Sequence, residues 1–515
     1  MSDFLSVLTP NPNLTVADYD AGIGPGASTD LATGDIRRKY NFGTRVSELS
    51  IAQDPFFRFV SKVAKKPTDD PQFKFTEKRP SFHKRYAYVG AVYDGSAFDD
   101  DSDFGAAKAA GDNIKVRMIT DYKNQGNIQN VFGNTGKEFK IGATGTMPKF
   151  FLAGQIVKIP MAASAGGTVT DYILMRIDAT PVEYAAGDTA QNDATVTVTN
   201  NPDMVELNGT VVKAGSSGNS QFVSATASID DASTVTPSDD VISSALEPMR
   251  CYVVGTAHQE GSGFPETWID QPYASQYGLT QIWKTSMAMT NTARATVLKF
   301  EPNEWARTWK EKLVEHKWDI ETSLLFGSQY TDGSSIQYTQ GAVDYVIQYG
   351  NQFSLNIATK TQDDFLDDLS SYVDPRYNDS KATVFFCNTA VYNWLHKLGG
   401  YFKNNLEVSS NFSAEISLTG KKKVFGVDIS TFSTVYGDMN VARNIHLDGT
   451  NIKMLGVNMK NCSYRPLVGN GINRDTSVYV GVQTLENSGV DRRVDQILTE
   501  AGMEWSMAES HAVWT

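Results

Sequence analysis

The stretch NEWARTWKEKLVEHKWDIETSLLFG, Asn303 to Gly327, contains the strongest helical pattern in the chain. Six of its residues recur at steps of four, four, three, four and four, and so share one face of an α-helix: Trp305, Trp309, Leu313, His316, Ile320 and Leu324. At about 1.5 Å per residue such a helix is roughly 35 Å long, about the width of a small domain. We therefore expect the rest of the chain to be organised around this rod.

The two ends of this stretch suit the two ends of a helix. Asn303 can accept hydrogen bonds from the first backbone N–H groups, and Glu304 stands at the positive end of the helix dipole. Gly327 stands where a glycine with a left-handed backbone would end the helix. The outward face is predicted to carry solvated ion pairs between residues four apart, Arg307 with Glu311 and Lys317 with Glu321.

The composition is typical of a globular protein with several domains. A chain of 515 residues can bury more than one core, and its many Gly, Thr, Asn and Ser residues favour strands and turns. We find no signal-like N-terminus and no run of the roughly 20 apolar residues that a membrane span needs. We therefore expect a soluble, unexported protein without a membrane partner. Cys251, Cys387 and Cys462 lie within or beside apolar runs, which predicts buried free thiols in a reducing compartment.

Charge is distributed unevenly along the chain. The formal net charge of −13 argues against a nucleic-acid reader, because affinity for phosphate grows with the number of Lys and Arg contacts. One basic stretch nevertheless contains Arg58, Lys62, Lys65, Lys66, Lys74, Lys78, Arg79, Lys84 and Arg85. Residues 162–249 contain twelve Asp and Glu residues against only Arg176 and Lys213. The sequence therefore predicts a positive arm and a negative lobe.

The part of the chain before the long helix is predicted to be an arm followed by strands. Residues 1–72 begin with the Gly-, Asp- and Thr-rich sequence of an extended arm. A short helix opens at Asp54-Pro55 and is expected to pack on its own domain through Phe56, Phe59, Val60 and Val63. Residues 73–160 alternate in short runs, which predicts a long β-hairpin or small sheet. Residues 161–249 are rich in Thr and Val, which predicts a compact β insertion with an acidic surface.

After the long helix the sequence predicts helices and strands in alternation. The predicted elements are a short helix around residues 342–347, a helix in TQDDFLDDLSSYV, a buried strand in KATVFFCN, a helix in TAVYNWLHKLG, and strands from residue 422 onward. A strand between helices indicates an α/β or α+β domain.

No motif in the sequence predicts catalysis, a metal or a cofactor. No serine stands in GxSxG, and the sequences GNTGKE and LTGKKK lack the upstream Gly and the following Ser or Thr of a phosphate loop. The run DDDSDFG at residues 99–105 resembles a calcium loop, but its glycine is one place late and Ala110 stands where a Glu is needed. The histidines form no HExxH or HxH pair: His83, His258, His316, His396, His446 and His511. A hydrolase with dispersed carboxylates stays open, because spacing alone does not reveal such a pair.

Five segments in the second half of the chain follow one another in a recognisable order. They are GLTQIWKTSMAMTNTA (278–293), ETSLLFG (321–327), VFFCNTAVYNWL (384–395), FGVDISTFSTVYGDMNVA (425–442) and TEAGMEWSMAESHA (499–512). This ordered set resembles the major capsid proteins of tailed bacteriophages with the Hong Kong 97 (HK97) fold. The resemblance covers most of residues 265–515.

The resemblance implies an α+β, HK97-like capsid fold built on a long spine helix. Its core would contain Trp305, Trp309, Leu313, Ile320 and Leu324. The implied segments are an N-terminal arm (1–72), an extended loop and its root (73–160), the acidic β-rich insertion (161–249), the return of the loop (250–300), the peripheral domain with the spine helix (301–345), the axial domain (346–460) and C-terminal peripheral or axial strands (461–515). The insertion departs from the minimal fold.

The resemblance also implies a structural role. A major capsid protein assembles into hexamers and pentamers of an icosahedral shell around double-stranded DNA, in the virion, after assembly in the host cytoplasm. Implied partners are copies of the same chain, a decoration or cement protein, portal and scaffold, and non-specific contact with packaged DNA, with no cofactor and no enzymatic activity. We expect inter-subunit contacts, by pairing with acidic surface on a neighbour, from Arg58, Lys62, Lys65, Lys66, Lys78, Arg79, Lys84 and Arg85. The alternative is that these residues face the DNA.

Two other classes of protein share parts of this pattern. A phage tail or baseplate protein, or a β-rich adhesin, would also be acidic and poor in cysteine, but it would more often show repeats, which this sequence lacks. An encapsulin-like nanocompartment shell has the same fold without a genome. The length of 515 residues and the insertion favour a virus.

Overall fold

A computed structural model of the protein describes most of the chain from residue 54 onward. The described residues are 54–78, 85–93, 95, 98–99, 108–120, 147–162, 169–185, 203–216, 221–222, 250–264, 273–297, 303–373, 378, 383–405, 416–424, 427–483 and 489–515. They belong to two compact units, one that includes residues 291–308 and one that includes residues 52–290 and 309–515. The second unit contains the three large hydrophobic cores.

The structure confirms the predicted α+β mixture of helices and strands. The α-helices are α1 (Pro55–Val63), α2 (Asn291–Ala295), α3 (Glu304–Phe326), α4 (Ala342–Tyr349), α5 (Gln362–Tyr372) and α6 (Thr389–Asn405). The strands are β1 (Gln72–Glu77), β2 (Tyr86–Tyr93), β3 (Phe98–Asp99), β4 (Asn113–Ile119), β5 (Gln155–Ala162), β6 (Asp171–Ile177), β7 (Val182–Tyr184), β8 (Met204–Lys213), β9 (Gln221–Phe222), β10 (Cys251–Thr256), β11 (Ala274–Leu279), β12 (Gln281–Thr290), β13 (Tyr330–Thr331), β14 (Gln337–Tyr338), β15 (Asn351–Phe353), β16 (Thr383–Cys387), β17 (Ile416–Val424), β18 (Val427–Thr434), β19 (Gly437–Arg443), β20 (Met454–Asn458), β21 (Cys462–Pro466), β22 (Val468–Gly469), β23 (Ile472–Asn473), β24 (Ser477–Gln483), β25 (Arg492–Trp505) and β26 (Ala512–Trp514).

Helix α3 confirms the long helix predicted from residues 303–327. The Ala306 N–H donates to Asn303 Oδ1 at 3.1 Å, so the predicted N-terminal cap is present. The left-handed backbone predicted for Gly327 is wrong, because this glycine has no positive φ. Its carbonyl instead accepts from the Gly341 N–H at 2.7 Å. A Cβ on either glycine would come within 2.5 Å of a backbone atom, so close backbone packing excludes a side chain here.

The C-terminal half of α3 contributes to a core shared with a four-stranded sheet. In this sheet β12 pairs antiparallel with one edge of β25, and β21 and β24 pair with the other edge. Ile320 and Leu324 are buried in this core, as the predicted stripe requires. Burial of the predicted stripe decreases toward the start of the helix, because Trp305, Trp309 and Leu313 are only half-buried.

Helix α1 lies in the same core. The Phe56 ring is stacked on Trp505, with 6.3 Å between ring centroids, and lies edge-on to Phe386 at 5.4 Å. Farther along, Lys65 and Thr68 form parallel bridges with the β21 region. The apolar face of α1 is therefore buried on its own chain, as the sequence analysis expected for this helix, although residues 54–72 were counted with the arm. The earlier part of the predicted arm, residues 1–53, lies outside the described residues.

The strands between β1 and β11 form a closed sheet. β10, β2, β4, β8, β6 and β5 pair in that order, and β5 pairs again with β10, so the six strands form a ring. Side chains such as Val89, Met118 and Ile159 fill its interior. The boundary predicted at residue 161 therefore divides one barrel, since strands before and after it pair directly with each other. Closure leaves fewer unpaired edges than two separate sheets would have.

A two-stranded ribbon carries the chain into and out of this barrel segment. β1 pairs antiparallel with β11, from Gln72 opposite Leu279 to Glu77 opposite Ala274. All the barrel strands lie between these two strands in sequence. The barrel strands therefore lie within one long connection between the two strands of the ribbon.

A seven-stranded mixed sheet in the order β15-β26-β20-β16-β19-β18-β17 forms the third core together with α5 and α6. The predicted helices and the buried strand of residues 342–405 are all present. Trp514 is fully buried there, and its ring is 5.1 Å from that of Phe353. The last strand therefore completes the sheet of residues 351–458, although sequence assigned residues 461–515 to a separate segment.

Two predictions from composition can be compared with the structure. Cys251, Cys387 and Cys462 are buried free cysteines, as predicted. Within the part of the chain that the structure describes, no helix is both long enough and apolar enough to cross a membrane.

Candidate assembly surfaces

The buried end of α3 is held by a carboxylate. Glu321 accepts hydrogen bonds from the Phe56 N–H at 3.1 Å, the Phe57 N–H at 2.6 Å and Asn444 Nδ2 at 2.8 Å. The two amides belong to the first turn of α1, where a helix has free N–H groups and favours a negative charge. Burial raises the pKa of Glu321 to about 7. The three hydrogen bonds have the opposite influence, since they stabilise the ionised carboxylate and lower the pKa. One side chain thus ties α3 to α1 and to the end of β19.

This arrangement corrects one of the two predicted surface ion pairs, that of Lys317 with Glu321. Glu321 is fully buried and does not pair with Lys317 at the surface. Arg307 pairs with Glu304, three residues before it. The predicted pair with Glu311 stays a prediction. The spacing rule identified residues that share a face, but it could not show that a segment 265 residues away supplies donors to Glu321.

A histidine fixes the middle of α3 to the sheet. His316 lies between Thr285 Oγ1 and Thr499 Oγ1, each 2.8 Å from a ring nitrogen. Thr499 donates its own hydroxyl proton to Thr476, so His316 Nε2 is the donor to Thr499 and Nδ1 accepts from Thr285. Burial lowers the pKa of His316, which keeps this neutral form. The predicted stripe included His316 without revealing its two polar partners.

Two members of the predicted basic contact set are paired within the chain. Arg58 Nε lies 2.6 Å from Asp54 Oδ1, at the start of α1. Lys65 pairs with Asp475, on the loop before β24. Both ion pairs help to attach residues 54–68 to their own chain. Neither side chain is therefore simply available to a neighbour.

The other members of the set are spread over the surface. Lys62, Lys66 and Arg85 are exposed. The Lys78 ammonium lies over the Tyr273 ring, 5.1 Å from its centroid. Arg79 and Lys84 lie outside the described residues. The role of these residues in contacts between subunits stays a prediction.

Acidic residues of the barrel are partly paired with its own basic residues. Glu183 pairs with Lys149 at 2.9 Å, and Asp178 pairs with Arg176 at 3.1 Å. The buried guanidinium of Arg117 lies 3.9 Å from the Phe98 ring centroid and 3.5 Å from a Glu206 oxygen. Seven of the twelve predicted acidic positions lie outside the described residues, which are Asp188, Asp193, Asp230, Asp231, Asp239, Asp240 and Glu247.

Strand β24 exposes a row of apolar side chains that sequence reasoning missed. Val480 is 65% exposed, and Val478, Tyr479 and Val482 are exposed as well. Among the described residues, β24 pairs with β25 alone, which lies along one of its two edges. An apolar strand at the edge of a sheet is a template for association with another chain. The sequence predicted strands from residue 422 onward, but it did not predict that β24 would expose apolar side chains.

The turn between β18 and β19 presents a second exposed apolar group. Val435 is 71% exposed and Tyr436 is also exposed. Thr434 closes the turn by donating to the Gly437 carbonyl at 2.6 Å. The turn therefore presents two large apolar side chains on a defined hairpin.

The described residues show no candidate metal site. No group of three or more His, Cys, Asp or Glu side chains among them is placed to hold a metal ion. Ser430 Oγ lies 3.3 Å from His396 Nε2, but the serine is fully buried and also bonds Tyr392, which suits a structural contact. The calcium-like run at residues 99–105 lies almost entirely outside the described part of the chain.

Comparison with solved structures gives weak overall similarity to shell proteins. The capsid of Myoviridae phage XM1 matches with 11% sequence identity and a TM-score of 0.33, over 51% of this chain and 81% of that chain. The holo-SrpI encapsulin complex from Synechococcus elongatus PCC 7942 matches with 10% identity and a TM-score of 0.32, over 47% of this chain and 77% of that chain.

Sequence comparison is more specific. The "Major capsid protein" of Pseudomonas phage PaMx41 is 27% identical over 187 residues, which is 35% of this chain and 42% of that protein. The match thus spans less than half of the relative. Residues 36–515 match the family described as SU10 major capsid protein. This match confirms the assignment predicted from the ordered segments, and the chain belongs to the SU10 major capsid protein family.

Proposed function

We propose that this chain is the subunit of an icosahedral phage head that encloses double-stranded DNA. Copies assemble into hexamers and pentamers, first in the host cytoplasm, and then remain in the virion. The role is structural and needs no catalysis or cofactor. The family match over residues 36–515 carries this proposal.

Surface chemistry supports self-association. The exposed apolar row of β24 and the Val435–Tyr436 turn are the kind of surface that single soluble chains rarely leave uncovered. Many modest contacts between identical subunits make a closed shell stable, and head-to-tail contacts close into rings. On this proposal the division into arm, extended loop, peripheral domain and axial domain follows the family pattern. Decoration, portal and scaffold proteins would contact the finished or growing shell.

The basic stretch is assigned to contacts between subunits, with DNA contact as the alternative. Lys62 and Lys66 are its most suitable test residues, because both are exposed and neither forms an ion pair among the described residues. Lys65 is unsuitable, since its charge is paired with Asp475 in the same chain. Reversal of Lys62 and Lys66 to Glu should block shell formation while the chain still folds. If this variant instead formed normal shells that package less DNA, the basic stretch would contact the packaged DNA and not a neighbouring subunit.

A matched control separates this effect from net charge alone. Lys397 and Lys423 are also exposed, and their reversal to Glu changes the charge of the chain by the same amount. We expect this control variant to assemble at close to the wild-type yield. A defect of equal size in both variants would show that the location of the basic stretch does not matter.

Electron microscopy of the expressed chain, with sedimentation analysis, tests the function itself. We expect closed shells with pentameric and hexameric units. Fibres, tubes or rings of a tail type would overturn the proposal, as would monomers that persist at high concentration with a head scaffold present. Shells that only ever enclose protein cargo would favour the nanocompartment.

A further inference from the structure

A row of basic and aromatic side chains crosses the outer wall of the barrel. Strand pairing places Tyr252 of β10 opposite Lys158 of β5, Leu174 of β6 opposite Lys158, and Lys213 of β8 opposite Leu174. The residues before and after Lys158 and Leu174 fill the barrel interior, so these two side chains lie on the outer wall. Three steps of about 4.8 Å between strands give the row a length of roughly 14 Å. We call these four residues, together with Tyr172, the barrel row.

Two lysines of the barrel row converge on one tyrosine. The Lys158 ammonium lies 4.0 Å from the centroid of the Tyr172 ring, and the Lys213 ammonium lies 4.1 Å from the same centroid. The two charges are therefore no more than about 8 Å apart. A ring contact orients an ammonium group but does not neutralise it, and like charges this close repel each other. An anion bound beside the ring would remove that repulsion.

The described part of the barrel does not itself provide that anion. Neither Lys158 nor Lys213 lies within ion-pair distance of a carboxylate among the described residues. Asp171 precedes Tyr172, but its oxygens accept hydrogen bonds from the backbone N–H groups of Tyr172 and Ser216. These hydrogen bonds are the main cause of the lowered pKa of Asp171, and the charge of Lys213 contributes least. The two lysine charges therefore suit a ligand from outside the barrel.

Apolar surface lies beside these charges. Tyr252 is 45% exposed, and Val254 on the same strand is exposed as well. At the other end of the row, Val212 is exposed next to Lys213. A tyrosine ring combines an apolar face with a hydroxyl group, which suits a ligand whose rings carry both C–H and O–H groups. The barrel row thus offers cations and an aromatic face at a fixed spacing.

Three kinds of linear polyanion can be compared as ligands of this row. Nucleic acid is disfavoured by the net charge of −13, and single strands bind by stacking bases on open aromatic faces, whereas the Tyr172 ring already carries two ammonium groups. An extended acidic peptide docks on a sheet by adding a strand at an open edge, and the closed ring of six strands offers none. An acidic polysaccharide needs neither many cations nor an open edge. The outer faces of small β-barrels bind oligosaccharides in other proteins.

We propose that the barrel row binds an acidic polysaccharide. Lys158 and Lys213 hold a sugar carboxylate beside the Tyr172 ring, and Tyr252 packs against a neighbouring sugar ring. This binding role is separate from self-assembly. It does not rest on the proposed shell function, because all five residues belong to one barrel of one chain.

Binding of the full chain to three immobilised polymers, at a protein concentration too low for assembly, tests the choice of ligand. The polymers are polygalacturonate, which carries carboxylates on sugar rings, poly-L-glutamate, which carries them without sugars, and single-stranded oligothymidylate. We expect polygalacturonate to bind at least about tenfold more tightly than the other two, because only it can use both the lysines and Tyr252. Equal affinity for all three would show general charge attraction only and would overturn the proposal. Tighter binding of poly-L-glutamate or of oligothymidylate would overturn it in favour of a peptide or a nucleic acid.

Variants of the barrel row test whether these residues form the site. Lys158→Gln with Lys213→Gln should lower the affinity for polygalacturonate at least about tenfold. Tyr252→Ala should lower it severalfold while leaving the weak binding of poly-L-glutamate unchanged. The matched control, Lys397→Gln with Lys423→Gln, removes two exposed charges outside the barrel and should stay within about twofold of wild type. Thermal unfolding shows whether each variant folds. Unchanged affinity in the folded row variants, or an equal loss in the control, would reject the site.

Discussion

Two segments that pack on strand β25 differ in whether their side chains find partners within the chain. One is residues 316–325 of helix α3, and the other is residues 477–483, which form strand β24. In the helix segment, His316 and Glu321 find partners on two strands, on α1 and on Asn444, all within the chain. In β24, Val478, Tyr479, Val480 and Val482 are exposed, and among the described residues this strand pairs with β25 alone. Folding of one chain completes the first region, whereas the proposed shell function requires association to complete the second.

The largest expected effect comes from removal of an aromatic side chain in the helix region. Phe56 is fully buried against Trp505 and Phe386, so Phe56→Ala should lower the free energy of unfolding by about 4 kcal/mol. Val63→Ala is the matched control on the same helix, because Val63 is half exposed, and it should cost well under about 1 kcal/mol. Denaturant unfolding measures both. Equally small losses of unfolding free energy in the two variants would contradict the packing of α1 in the core of its own chain.

The second largest effect is expected at Glu321, whose contribution to the free energy of unfolding depends on pH. Burial raises its pKa from 4.5 to about 7, so the native state binds the proton more tightly than the unfolded state does. This contribution to stability is complete below pH 4.5 and is lost as the pH rises through 7. The full difference is about 3 kcal/mol, at 1.36 kcal/mol per pKa unit.

Unfolding of the wild type and of Glu321→Gln at pH 5 and pH 8.5 isolates this contribution. We expect the wild type to lose stability relative to the variant at the higher pH, because only the wild type has a buried carboxyl at position 321 that must ionise. The neighbouring charges of Asp54 and Arg58 are present in both proteins and therefore cancel in the comparison. Parallel pH profiles would show that the carboxylate is charged throughout, held by its three hydrogen bonds.

His316 should make a smaller contribution to stability, with a pH dependence opposite to that of Glu321. His316→Leu removes the hydrogen bonds with Thr285 and Thr499 and should cost about 2 kcal/mol at pH 8. Because burial lowers the pKa of His316, the wild type should lose part of this advantage as the pH falls below 6.5. The gap between wild type and variant is measured by thermal unfolding at several pH values. A gap that widens at low pH would contradict the neutral, buried histidine.

The smallest effect on the folded chain is expected in β24. Val480 is largely exposed, so Val480→Ser should change the free energy of unfolding of the unassembled chain by less than about 0.5 kcal/mol. Its cost should appear only in assembly, as a higher concentration needed to form shells. Light scattering during assembly provides the measurement. A stability loss of the size seen for a core residue would mean that β24 is already covered in the single chain.

Local patterns in the sequence predicted the elements better than their partners. The spacing around Ile320 and the buried run TVFFC both correspond to observed elements, since each depends on neighbours along the chain. The burial of Glu321 was not predictable, because its donors lie 265 residues away at Phe56. The role of Gly327 depends on the backbone of Gly341, and the closed barrel depends on β10 pairing with β5. The exposed edge of β24 is likewise a property of sheet order, which strand alternation does not encode.

Cryo-electron microscopy of assembled wild-type particles tests most directly whether association completes the surfaces that folding leaves open. We expect an icosahedral shell in which residues 477–483 are buried against a neighbouring copy, while α1 and Glu321 keep their contacts within one chain. A shell that leaves this strand exposed to solvent on every subunit, or a chain that stays monomeric under all assembly conditions, would contradict that view.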